Sequence, residues 1–388
     1  MRILQVHTRY REPGGEDMVA RAEAEVLTRA GHEVIVHTAE NPTGVVPTAA
    51  SLAVSAWNPA AALALRSAVR RARPDVAHVH NTWYALSAAA VAALDAAGVP
   101  VVMTLHNYRL MCANALLFRD GRPCEDCVGT SPWPGVRHRC YRGSLLASAA
   151  AAGSIAANNA FRTWHRHVRL FLALNEFTRG RYIHGGFPAD KIRVKPNFVA
   201  DPGPRKRPPS ASRTVLFVGR LAREKGLDVL LDAWRTVGEE LELVVVGDGP
   251  LRAELEEAAP PNVRFKGHIP SSEVEQLMLR SRALVFPSIS YEGQPMVVLQ
   301  ALAAGLPVLA SKLGGNPALL APAGERWLSA PGDPSAWARG LRELLDDAEV
   351  DRAGARLRQL YQDRFSEQIG RRLLEDAYVA ARGRRSGG

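Results

Sequence analysis

Short apolar runs that end in a polar residue alternate with longer stretches whose apolar residues recur at helical spacing, and this happens in two separate series along the chain. The first series opens with RILQVHT, passes through GGEDMVARAEAEVLTRAGH and returns to EVIVHT. In the middle stretch Met18, Val19, Ala22, Val26 and Leu27 fall on one helical face, and Gly31 stands where such a helix stops. A strand, helix, strand unit of this kind implies parallel pairing. PDVAHVHN, VPVVMTLHN and VRLFLALN add further buried strands, whose carboxyl ends carry His80, Asn81, His106, Asn107 and Asn175. In an open α/β sheet ligands bind beyond those ends, so these side chains are candidate contacts.

Residues 197–213, NFVADPGPRKRPPSASR, are dense in proline, serine and charge and read as an interdomain linker. Beyond them the alternation restarts with TVLFVGRL, ELVVVGDGP, VRFKGHI, ALVFPS and PSISYEGQPMVVLQALAAGLPVLAS. At 388 residues the chain suits two cores. The expected fold is α/β, with two Rossmann-like, doubly wound domains facing each other across a cleft. Their expected bounds are 1–200 and 201–365, with a C-terminal helix at 366–388 packing back on the first domain and residues 382–388 frayed.

Charge narrows the ligand class. The chain has 49 basic and 39 acidic residues, a net charge of +10. Such an excess suits nucleic acid, an anionic membrane face or a phosphorylated small molecule. No zinc-finger, RRM or helix-turn-helix pattern is present, which sets nucleic acid aside. No apolar run approaches the roughly 20 residues of a membrane span. The start, MRILQVHT, enters a strand pattern directly, so the expected location is cytoplasmic. Residues 161–171, FRTWHRHVRLF, mix basic and aromatic side chains and suit a peripheral contact with the inner membrane face. They also fit one face of an ordinary helix that runs into a buried strand.

Phosphate is favoured by the second series. Arg220 lies at the carboxyl end of TVLFVGR, directly after Gly219, and Lys225 precedes the next helix. Pro295 suits the first position of a helix running to Ala304 and stopping at Gly305. Its unpaired N–H groups and partial positive charge make an anion site. Gly247 in GDGP is weaker evidence, because Gly-Asp-Gly is also an ordinary tight turn. Glu292 is the lone acid of the loop before the helix, so the two flanking carboxylates of a glycosidase are not evident.

Residues 214–316 resemble the donor domain of the retaining, GT-B-fold glycosyltransferases of family GT4 through VGRLAREKGLDVLLDA, VVGDGP, VRFKGHI and PSISYEGQPMVVLQALAAGLPVLASKLGG. The likeness extends to the acceptor domain through MRILQVHTRYREPGGEDMVA, PDVAHVHN and TLHNYRLMC. What it implies is a hexosyl-type transferase that moves a hexose or N-acetylhexosamine from a nucleotide sugar, preferably a UDP-sugar, to a hydroxyl acceptor, lipid-linked glycan or natural product. Arg220 and Lys225 match the family's diphosphate clamps, and Gly15 matches the glycine that admits the donor phosphates. Glu292, with Gly293, matches the first acid of an E-x7-E signature that contacts the sugar. Backbone at Met296 and Val297 would meet the phosphates, Lys266 and Gly267 would lie along the base, and His106 matches a histidine near the transferred sugar.

The chain departs from that signature at its second acid, where Gln300 stands. About 7.5 Å along the helix, its amide can still meet a ribose but without a charge-assisted bond. This keeps a noncatalytic nucleotide-sugar-binding protein or partner subunit in view, and a GT-B-fold 2-epimerase more remotely. Catalysis is expected to need no metal. Cys112, Cys124, Cys127 and Cys140 share one insertion, and the C-x2-C pair suits a structural zinc site, the alternative being four free thiols. Trp83, Tyr84 and Arg109 are plausible acceptor contacts beside His80, Asn81 and Asn107.

Overall fold

The computed structural model describes residues 1–9, 14–42, 52, 54–236 and 240–383. In chain order the strands are β1 (Arg2–Arg9), β2 (Glu33–Glu40), β3 (Val76–Asn81), β4 (Val101–Leu105), β5 (Phe118–Arg119), β6 (Arg122–Pro123), β7 (Leu170–Ala173) and β8 (Ile192–Val194). There follow β9 (Thr214–Val218), β10 (Glu242–Val246), β11 (Val263–Gly267), β12 (Ala283–Phe286), β13 (Val308–Ser311) and β14 (Leu328–Ser329). They fall into two units: Met1–Leu117, Cys124–Asn197 and the chain from Gly370 form one, and Phe118–Pro123 with Phe198–Ile369 the other. Both are Rossmann-like.

The first unit holds a parallel sheet in the order β2-β1-β3-β4-β7-β8. The chain leaves β1 on one side to form β2, then crosses back to place β3 on the other side, so the carboxyl ends of β1 and β3 border the point where the winding reverses. The register between them slips after Val6, at His7. β3 and β4 are buried along their whole length, as the run VVMTL requires of a strand covered on both faces. The second unit repeats this plan as β11-β10-β9-β12-β13-β14, all parallel. Here β9 and β12 border the reversal. They pair only at Ala283↔Val215 and Leu284↔Leu216, then separate.

The helix Gly15–Arg29 connects β1 to β2 and buries Val19, Ala20, Val26 and Leu27, but also Glu23. That carboxylate is 0% exposed, and its partner Lys195, 1% exposed, follows β8 and donates to its Oε1. Two charges taken out of water gain from each other only while both are present. The C-terminal helix Glu367–Gly383 joins the same network, Tyr378 Oη meeting His78 Nδ1 at 2.8 Å.

The segment read as an interdomain linker is tied down along the second unit. Arg205 donates to the carbonyls of Met278, 2.8 Å away, and Ser281, capping the end of the helix Ser271–Met278, and Ser210 bonds Asp351 through both backbone and side chain. Its polar groups satisfy orphaned carbonyls, which composition alone does not reveal. The last residues of the expected C-terminal helix, 384–388, lie outside the described residues.

Replacing Lys195 by methionine strands a buried carboxylate. Urea unfolding of Lys195→Met should show a loss of about 3–5 kcal/mol, partly recovered by adding Glu23→Gln; a wild-type midpoint for the single variant would show that the pair does not hold the unit together.

Candidate functional site

At the reversal of the second unit, β9 ends at Val218 and the chain passes through Gly219, Arg220 and a short 3-10 turn, Arg223–Lys225. Opposite it β12 ends at Phe286 and leads into the loop that carries Glu292. The two loops are stitched together. Glu224 offers its carbonyl to Ile289 N–H at 2.9 Å and to the Ser288 hydroxyl at 3.1 Å. Gly226 follows at φ 65°, and a Cβ there would stand 2.3 Å from the Pro287 carbonyl oxygen, so only glycine permits the approach.

Across this seam Lys225 Nζ donates to Glu292 Oε1 at 2.7 Å, and the Ser288 hydroxyl lies 2.9 Å from the same oxygen. Both charged side chains are mostly covered, at 23% and 19% exposure. Arg220 is the more open cation and is held by Glu224 one helical turn on. The loop then runs through Gly293 into the helix Met296–Ala303. Pro295 is its N-cap, one position earlier than the sequence suggests, because the first helical bonds run back to the Pro295 carbonyl from Val298 and Leu299. No side chain caps this end, which leaves Met296 and Val297 N–H as the uncapped donors. Gln300 is the fifth helical residue and half-buried. Gly247 and Gly267 stand at the carboxyl ends of β10 and β11, joined by a 2.8 Å bond from Gly247 N–H to the Gly267 carbonyl; Lys266 is exposed beside them.

In the first unit the reversal gathers histidines. His106 follows β4, and its Nε2 is 3.0 Å from His80 Nδ1. His80 Nε2 is in turn 3.0 Å from Gln5 Nε2, whose amide also donates to the Ala20 carbonyl at 2.8 Å. A carbonyl can only accept, so it fixes the amide orientation, and the protons follow in order. Gln5 donates to His80 Nε2, His80 donates from Nδ1 to His106 Nε2, and His106 keeps its own proton on Nδ1. Burial pushes His80 and His106 well below the ordinary imidazole value and His78 down to about 4, so all three are neutral near pH 7.

The GGED motif acts through its acids. Asp17 accepts from Gly14 N–H at 2.9 Å and meets His7 Nε2 at 2.8 Å, while Glu16 accepts from Asn107 Nδ2 at 2.5 Å. These bonds tie the start of the helix, with exposed Gly15, to the ends of β1 and β4. His7, Glu16, Asp17 and Gln5 were not singled out from sequence; His7, as a polar strand end beside those that were, carried the signal. Arg109 lies between Trp83 and Tyr141, 5.0 and 4.9 Å from their ring centres. Trp83, Asn107 and Arg109 line a small cavity with His106, together with Asn81. Asn81 bonds the Thr8 carbonyl and Trp83 N–H, and Tyr84 is 1% exposed. The contact expected of Tyr84 is therefore not offered by its placement, and His80, 3% exposed, lines the cavity beside His106.

The cysteines depart from expectation. Zinc held by four thiolates needs sulfurs about 4 Å apart. Among the described residues, the group whose ligand atoms gather within 4.8 Å is Glu23, His78 and His80, where Lys195 already supplies the cation. Cys112 Sγ instead donates to Asn114 Oδ1 at 3.0 Å and Cys127 Sγ to the Pro132 carbonyl at 3.8 Å. Burial, helped by the other three thiols, pushes Cys127 up to about 11. The arrangement is that of four free thiols, and it does not fit the metal.

Long-range 1H–15N spectra at pH 6 should find His80 and His106 neutral with protonated Nδ1, where a free imidazole is mostly charged. Because burial lowers these pKa values, the unfolded chain binds protons first: this stability is present above pH 6.5 and lost toward about pH 4. A His106 protonated on Nε2 would contradict the relay.

Residues 13–201 match the family model Glycosyltransferase Family 4, and residues 212–347 match Glycosyl transferases group 1. Sulfoquinovosyl transferase SQD2 of Arabidopsis thaliana is 28% identical over 297 residues, covering 73% of this chain and 52% of that protein. The 2-deoxystreptamine glucosyltransferase of Streptomyces kanamyceticus is 32% identical over 168 residues, 41% of each chain. The chain spans about half the length of the first curated relatives it matches. Among solved structures, Anabaena HepE in complex with UDP superposes with a TM-score of 0.72 at 18% identity, over 98% of this chain and 100% of that one. One glycosyltransferase family model thus falls on each parallel-sheet unit, and the fold is the GT-B fold of the solved neighbours.

Proposed function

We propose that the chain is a retaining glycosyltransferase that moves a hexose or N-acetylhexosamine from a UDP-sugar to a hydroxyl of a glycan, lipid-linked or natural-product acceptor, at the cytoplasmic face of a membrane. The observation that carries this reading is the Lys225–Glu292 pair, 2.7 Å apart at the strand reversal and followed by an uncapped helix start. A departing diphosphate carries the charge that such a site neutralises. Lys225, Arg220 and the N–H groups of Met296 and Val297 would take the phosphate oxygens, and Glu292 the sugar hydroxyls. Glu292 holds Lys225 in place before donor arrives. Preset donors of this kind stabilise charge that develops in the transition state.

The UDP complex of HepE and the glucosyltransferase name of the Streptomyces relative support a UDP-hexose donor. The bond to carbon breaks toward the diphosphate, and the acceptor hydroxyl attacks the same face, its proton passing to the leaving phosphate oxygen. No step calls on a metal. The first unit would hold the acceptor, with Trp83, Asn107 and Arg109 around His106, whose Nδ1–H can donate to a sugar hydroxyl but not act as a charged acid. Gln300 favours a second reading, a protein that binds donor without turnover.

UDP release from a panel of UDP-sugars with acceptor separates these readings. Lys225→Ala should lower kcat/KM by about 10²–10³, and Gln300→Glu should tighten donor binding several-fold through a charged ribose contact. Near-normal turnover in Lys225→Ala would remove the assignment; tight donor binding with no UDP release from either wild type or Gln300→Glu would favour the binding protein.

A further inference from the structure

Between Asp126 and Glu176 the sequence has no acidic residue, yet it holds Arg137, Arg139, Arg142, Arg162, Arg166 and Arg169. Arg169 is engaged by Asp95 at 3.7 Å. The other five are exposed, and none forms an ion pair among the described residues. Five exposed guanidiniums without an ion pair on one acid-free stretch of chain favour an anionic partner.

The same stretch contains the helix Leu145–Ala160, LLASAAAAGSIAANNA, which has no charged side chain at all. Its inner face is filled by Ala147, Ala151, Ala152, Ile155 and Asn158, all buried. Its outer face therefore presents Leu146, Ala149, Ala150, Gly153 and Ala157, with Phe161 just past the end; this face is where a surface helix ordinarily carries its charges. Leu146 is 82% exposed and Phe161 68%. A Cβ added at Gly153 would meet no atom within 4 Å, so the face is open midway along. Trp133, 55% exposed, precedes the short helix Pro134–Arg137 that packs on this one. Arginines sit before and after the helix, at 137–142 and 162–166, and apolar side chains lie between.

The occupant follows from both halves of this pattern. A second copy seated on the same face would set arginine against arginine. A nucleic acid would use the guanidiniums but leave Leu146 and Phe161 in water. An anionic bilayer uses both, headgroup phosphates for the cations and the acyl boundary for leucine, phenylalanine and tryptophan. The stretch 161–171 singled out in the sequence contributes only its first residues, since Trp164, Val168 and Leu170 are buried in the unit. We propose that the helix Leu145–Ala160 lies flat in the interface of an anionic lipid bilayer, over about 24 Å, with Arg137, Arg139, Arg142, Arg162 and Arg166 on the headgroups.

Co-sedimentation of the full chain with vesicles tests this without any donor sugar, so its outcome is independent of the glycosyltransferase reading. The chain should bind phosphatidylglycerol-containing vesicles, weakly or not at all bind pure phosphatidylcholine, and lose affinity as salt is raised. The Arg137→Glu, Arg139→Glu, Arg142→Glu triple variant should lose at least about tenfold in affinity. Leu146→Ser with Phe161→Ser should lose several-fold even at low salt. Arg162→Glu with Arg166→Glu repeats the charge test at the other end, and unchanged thermal unfolding shows that the variants fold. Equal binding to neutral and anionic vesicles, no binding to either, or wild-type binding by both charge-reversed variants would overturn the proposal.

Discussion

Parallel pairing is the constraint from which the rest follows. Two parallel strands cannot be joined by a tight turn, so each connection crosses over the sheet and every strand delivers its carboxyl end to the same edge. Where the winding reverses, neighbouring loops leave in opposite directions and a gap opens at that edge. In the second unit this places the loops after β9 and β12 side by side, and backbone bonds from Glu224 to Ile289 and Ser288 fix their separation. Lys225 and Glu292 are opposed because the strand order opposes them. In the first unit the same reversal, between β1 and β3, gathers His7 and His80.

The two sites differ in how they treat charge. The second keeps an acid and a cation partly open to solvent. The first holds one completely buried pair, Glu23 against Lys195, and surrounds it with neutral imidazoles. Such a network is costly unless every member finds a partner. Its consequence here is directional: a single amide, Gln5, sets the tautomer of two histidines in series, His80 and then His106, both of which line the cavity.

Much of this was legible in the chain. Alternating periods located the strands, and polar strand ends located His80, His106 and Asn107; glycines at β-strand ends and the proline before the helix Met296–Ala303 located the edge that carries Lys225 and Glu292. Other features were not legible, for physical reasons. Glu23 and Lys195 are 172 positions apart and neither occurs in a motif, so only the fold brings them together. The acids of GGED were not singled out, because their bonds to His7 and Asn107 appear only with β1 and β4 in place. The bonds of the linker were hidden because sequence shows charge but not the carbonyls that Arg205 satisfies. The C-x2-C spacing suggested zinc, but spacing fixes only two sulfurs, and the local turns send Cys112 and Cys127 to acceptors of their own.

The central claim is that the reversal in the second unit is built for a diphosphate. A crystal structure with UDP bound tests it most directly. The account predicts the β-phosphate within hydrogen-bonding distance of Lys225 Nζ and of Met296 or Val297 N–H, with the 2.7 Å contact between Lys225 and Glu292 opened to admit it. A diphosphate bound elsewhere, with that contact intact, would contradict it.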